Sequence, residues 1–70
     1  MKLKQYLKKT GTTQRQFAVR MGVTQGLVNQ WISGLTKVGP ERALEIEKAT
    51  AGMVTRRELC PQFPWDEAAA

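Results

Sequence analysis

TQRQFAVRMGVTQGLVNQWISG, residues 13–34, contains two helix starts, two glycine stops and only two charged side chains, Arg15 and Arg20. Thr13 with Gln16 three residues later forms a capping box, and Phe17, Ala18 and Met21 then fall on one face of the helix that it opens. Gly22 ends that helix. Thr24 is a second N-cap, and Val28, Trp31 and Ile32 repeat the helical spacing as far as Gly34. The intervening turn is therefore very tight. Ala18, four residues before Gly22, puts a small side chain where the two helices must approach, and Gly22 supplies a backbone conformation that a Cβ resists. Gln14, Ala18, Gly22, Val23, Val28 and Trp31 stand at offsets 0, 4, 8, 9, 14 and 17, with Val23, Val28 and Trp31 facing back onto Phe17 and Met21. Two short helices joined by a glycine turn in this pattern are a helix-turn-helix.

Outward from the motif, the punctuation continues. LKQYLKKT (3–10) carries Leu3, Tyr6 and Leu7 as one apolar stripe on a lysine-rich helix that Gly11 closes. On the other side, Gly39-Pro40 opens a helix with proline at its first position, where the missing N–H costs nothing. Ala43, Leu44, Ile46 and Ala49 are its expected buried side, and Gly52 its end. Thr55 and Glu58 suggest another capping box, flanked by Val54 and Leu59 as a hydrophobic staple, before Pro61 stops the last helix. The expected fold is all-α: a small helix-turn-helix domain of about five short helices over residues 1–60, with the motif at 13–34. Residues 61–70 read as an extended C-terminal tail, whose Phe63 and Trp65 require apolar surface on the domain or on a second subunit.

Composition narrows the function. Seventy residues make one domain, and so small a core favours sharing stability with a partner chain, so a homodimer is expected. No apolar run is long enough to span a bilayer and no signal peptide is present, which points to the cytoplasm and away from membranes. Histidine is absent, the single Cys60 has no base beside it, and no residues stand at metal-ligand spacing, so neither an enzyme nor a metal or cofactor is expected. Glu41, Glu45 and Glu47 alternate with Arg42 and Lys48 as a solvated face with weak ion pairs. The net charge of +5 is unevenly placed: residues 1–40 hold seven basic and no acidic side chains, residues 41–70 four basic and six acidic. A half-chain of one sign steers toward a polyanion, nucleic acid before membrane.

QRQFAVRMGVTQGLVNQWISG resembles the helix-turn-helix of the phage Cro and repressor superfamily, and GPERALEIEKATAGMVTRRELCP resembles the second half of its small Cro/YdaS-like members. The resemblance covers about residues 1–62. It implies a bacterial or phage regulator that binds a palindromic double-stranded DNA operator as a dimer, with the second helix of the motif (24–33) in the major groove. Carried over by position, Thr24, Gln25, Gly26, Asn29, Gln30 and Ser33 face the DNA, and Gln14 and Arg15 touch its phosphates. Some YdaS-like proteins are antitoxins, so the resemblance also permits a toxin protein as partner, with the aromatic tail as its anchor.

Helical geometry leads to the same face. With Val28, Trp31 and Ile32 turned inward, Gln25, Gly26, Asn29, Gln30 and Ser33 remain outside. These are base-reading candidates, and Asn and Gln amides suit the adenine edge, so contacts weighted toward A·T are expected. Arg15 and Lys37 are expected to bracket the groove as phosphate contacts, and the resemblance adds Gln14 and Thr24 to them. Some of Lys2, Lys4, Lys8 and Lys9 are within reach of the flanks, although any one of them taken singly is expected to be a solvated surface charge.

Overall fold

The structure is a computed structural model that describes residues 1–65. Five helices follow in order: α1 (Leu3–Thr10), α2 (Gln14–Met21), α3 (Gln25–Ser33), α4 (Pro40–Ala49) and α5 (Arg56–Leu59), with no strand among the described residues. The all-α expectation is met.

Local chemistry sets the boundaries. The Thr13 hydroxyl accepts from the Gln16 N–H at 3.0 Å while the Gln16 side chain accepts from the Thr13 N–H at 3.0 Å, completing the box. Gly22 closes α2 in the left-handed region (φ 71°). The Ala18 carbonyl accepts from the Val23 N–H at 3.0 Å, so the chain is already turned when Thr24 caps α3 by accepting from the Leu27 N–H at 3.1 Å. As a result α2 and α3 make the most extensive helix contact in the molecule.

The core lies beneath this pair. Phe17, Val28, Ala43, Ile46 and Val54 are fully enclosed, and Leu3, Tyr6, Leu7 and Ala18 complete it from α1 and α2. Tyr6 meets Phe17 edge-on with ring centroids 6.4 Å apart. Met21, Val23, Trp31 and Ile32 pack on the core from its margin.

Two local expectations need correction. Leu44 is exposed at 41%, because the buried stripe of α4 runs through Ala43, Ile46 and then Thr50 at spacings of three and four. Thr50 is the buried polar residue here: its hydroxyl donates to the Ile46 carbonyl at 2.9 Å and accepts from the Val54 N–H at 3.1 Å, so the turn into α5 is satisfied inside the core. At α5 only half of the expected box forms. The Thr55 hydroxyl accepts from the Glu58 N–H at 3.3 Å, whereas the Glu58 carboxylate is taken by the Met1 ammonium and the Thr55 hydroxyl. The ammonium and then that hydroxyl hold the Glu58 carboxyl below its ordinary pKa.

Glu47 fastens α4 to α5 by accepting from the backbone N–H of Arg56 at 2.9 Å and from its Nε at 2.9 Å. The same guanidinium lies 5.5 Å from the centre of the Trp65 ring. Trp65 is buried, donates its indole N–H to the Cys60 carbonyl at 2.9 Å, and packs against Phe63. Of the two destinations open to the aromatics, they take the domain's own core, and Cys60 is enclosed with them. The remainder of the expected tail, 66–70, lies outside the described residues.

Candidate nucleic-acid interface

The site is built on α3. Val28 anchors the helix in the core, while Leu27, Trp31 and Ile32 are half-buried along its inner side. The opposite side carries Gln25, Gly26, Asn29, Gln30 and Ser33, all exposed. Amides, a hydroxyl and a glycine therefore form one uncharged surface, able to donate and accept hydrogen bonds without a charge to satisfy.

Glycine at 26 is not demanded by the fold. A Cβ there would meet nothing nearer than the Thr24 hydroxyl, at 3.9 Å. The side of α3 is thus kept low for a reason outside the domain or for none.

The other expected positions surround this surface. Thr24 is exposed at the N-cap of α3; its oxygen accepts from Leu27, which leaves its hydrogen free to donate to a phosphate. Gln14 is half-buried and Arg15 exposed in the first turn of α2, where backbone N–H groups and the helix dipole also favour an anion. Lys37 is exposed in the loop after α3.

Sequence reasoning missed Thr36. Its hydroxyl donates to the Gln30 side-chain oxygen at 2.9 Å, and its N–H and that of Leu35 point to the Gln30 carbonyl. A Thr six residues beyond a Gln, past a helix-ending Gly, was the available signal. Leu35 was missed too: it is 81% exposed just beyond the C-terminal end of α3.

Charge pairing sharpens the asymmetry between the halves. Ion pairs among the described residues include Met1 ammonium–Glu58, Arg42–Glu45 at 3.0 Å and Arg56–Glu47 at 2.8 Å. None takes a cation from the side chains of residues 1–40. Among the described residues the seven basic side chains of that half are thus without a carboxylate partner, and together they give it a positive field. Among the described residues no cluster of three or more metal-ligating side chains forms, and no helix is long and apolar enough to cross a membrane.

Residues 3–68 match the protein family described as bacterial toxin YdaS. The chain belongs to the YdaS family. The match runs past residue 62, where the resemblance in sequence was expected to stop, and takes in the buried Trp65. The chain is 34% identical over 58 residues to the regulatory protein Cro of Pseudomonas phage D3, covering 83% of this chain and 80% of that one. It is also 42% identical over 52 residues to YdaS of Escherichia coli (strain K12), named as a candidate transcriptional regulator. That alignment covers 74% of this chain but 53% of the relative, so the chain spans about half the length of that protein. The family's description says toxin, whereas both relatives are regulators by name.

Proposed function

We propose that this Cro- and YdaS-like DNA-binding regulator acts as a homodimeric repressor on a palindromic operator, with α3 lying in the major groove. The observation that carries the proposal is the division of labour around α3: an exposed, uncharged hydrogen-bonding face flanked by basic residues with no carboxylate partner among the described residues. Phosphate contacts supply affinity and orientation, and base edges supply sequence. The protein works by binding rather than by catalysis, in the cytoplasm of a bacterial host.

In this reading Gln25, Asn29, Gln30 and Ser33 meet base edges, Gly26 allows the helix to sit close, and Gln14, Arg15, Thr24 and Lys37 hold the backbone. Gln25 and Asn29 can each pair bidentately with adenine. Gln30 has one lone pair of its oxygen committed to Thr36, so its two N–H donors turn toward acceptors such as purine N7.

Selection of bound sites from a random duplex pool tests the proposal. The expected result is an A·T-weighted palindrome with half-site centres one helical turn apart, about 34 Å. Recovery of sites with no shared sequence would overturn base reading by α3. The antitoxin alternative has lost part of its basis, since Trp65, its suggested anchor, is spent inside the domain.

A further inference from the structure

A groove of about 520 Å³ opens at the C-terminal end of α3, between that helix, the loop after it, the start of α1 and α5. Trp31 and Ile32 line it, and so do three lysines from two separate parts of the chain: Lys2 and Lys4 at the start of α1, and Lys37 in the loop after α3. All three are exposed. None is ion-paired among the described residues, and the one carboxylate in the lining, that of Glu58, is already held by the Met1 ammonium and Thr55. Among the described residues, the fold thus gathers three lysines without a carboxylate partner into one concave surface. A concave surface lined by exposed lysines is complementary in charge to an anion.

Continuity with the reading face indicates which anion. Thr36 lines this groove and also donates to Gln30 on the outer side of α3, so the groove wall and the base-reading surface share a hydrogen bond. We infer that Lys2 and Lys4 join Lys37 in a phosphate-binding cradle at the C-terminal end of α3, which holds the sugar-phosphate backbone beside the bases that α3 contacts. The inference rests on the DNA-binding reading above and extends it to α1. It separates Lys2 and Lys4 from Lys8 and Lys9, which lie further along the same helix and do not line the groove. A duplex strand supplies a phosphate every 3.4 Å of axis, so successive phosphates of one strand are available to more than one lysine of the groove.

The test measures binding of the full chain to its selected operator and to a random duplex across a salt series, for Lys2→Ala, Lys4→Ala, Arg15→Ala and Lys48→Ala. Thermal melts establish that each variant is folded; Lys48, on α4 outside the groove, is the control for loss of any surface lysine. Lys2→Ala and Lys4→Ala are each expected to weaken both kinds of binding and to lower the slope of log K against log salt by about 0.9 per lost contact. Lys48→Ala should leave the slope unchanged. If Arg15→Ala lowers the slope while Lys2→Ala and Lys4→Ala do not, the cradle is wrong and the DNA reading stands. If none of the three lowers it, the backbone reading itself fails. Sedimentation completes the experiment: variants at Lys2 and Lys4 that keep full DNA affinity but lose self-association would make the groove a protein interface and overturn the inference.

Discussion

Thr36 donates its hydroxyl to the side-chain oxygen of Gln30 at 2.9 Å, so a loop residue sets which atoms an amide on the outer face of α3 turns outward. With that oxygen engaged, Gln30 faces a partner donor-first. Thr36→Val keeps the shape and removes the donor, which frees the amide to rotate. Site selection with this variant should show relaxed preference at one position per half-site, with specific affinity reduced by about 1 kcal/mol, the usual net value of one hydrogen bond. An unchanged preference would mean that Gln30 is not oriented from the loop.

Reading and holding are separable by mutation. Gln25→Ala or Asn29→Ala should weaken operator binding by about 1 to 3 kcal/mol and leave random-duplex binding almost unchanged. Arg15→Ala or Lys37→Ala should weaken both and lower the salt slope by about one unit. Titrations on the two duplexes in parallel distinguish the classes, and equal losses for Asn29→Ala on both would remove it from the reading face.

Gly26→Ala tests the low side of α3. No neighbour opposes the added methyl, the nearest atom being 3.9 Å away. Helix propensity then raises stability by up to about 1 kcal/mol, less so near the helix start. If the glycine exists to let α3 approach the groove floor, operator affinity falls while the melting temperature rises. A rise in both would reduce Gly26 to a tolerated residue.

The Glu47–Arg56 pair predicts an acid limit. Backbone and side-chain hydrogen bonds from Arg56 hold the Glu47 carboxyl below its ordinary value of 4.5. A carboxyl whose pKa is lowered on folding stabilises the native state above its unfolded pKa, and that contribution disappears as the pH falls through the lower, folded value. Glu47→Gln should therefore cost about 1 kcal/mol at neutral pH, a modest figure because the guanidinium is partly in water. The gap between denaturant titrations of the two proteins should begin to shrink in the ordinary glutamate range, near about pH 4, and close as the pH falls on through the lowered native value; a gap that stays constant throughout that acid range would exclude this ionisation as the cause.

Much of this organisation was legible because helix ends are written locally. Thr13, Gly22, Thr24 and Gly34 each act within four residues of their own position, so their chemistry can be read without knowing the fold. The outer face of α3 followed in the same way from Val28, Trp31 and Ile32. What escaped depends on distant neighbours. Leu44 looks equivalent to Ile46 along the chain, and only the direction in which α4 is approached makes one buried and the other exposed. Glu58 was expected to complete a cap on its own helix, but the Met1 ammonium, 57 residues away, claims its carboxylate. Thr50 and Trp65 needed the turn from α4 to α5 and the Cys60 carbonyl in place before their roles could be seen. The lysine groove belongs to the same class, since Lys2 and Lys37 share it only after the chain has folded.

The two tryptophans occupy different environments. Trp65 is sealed beside Cys60 and Phe63, whereas Trp31 is half-buried in the wall of the open groove with the Arg42 guanidinium 5.9 Å from its ring centre. Each indole is therefore an intrinsic optical gauge of a separate event. Emission from Trp65 follows the integrity of the domain, and emission from Trp31 follows what arrives beside α3. With one replaced by phenylalanine, the other distinguishes in a single cuvette between a variant that has lost its fold and one that has only lost its partner.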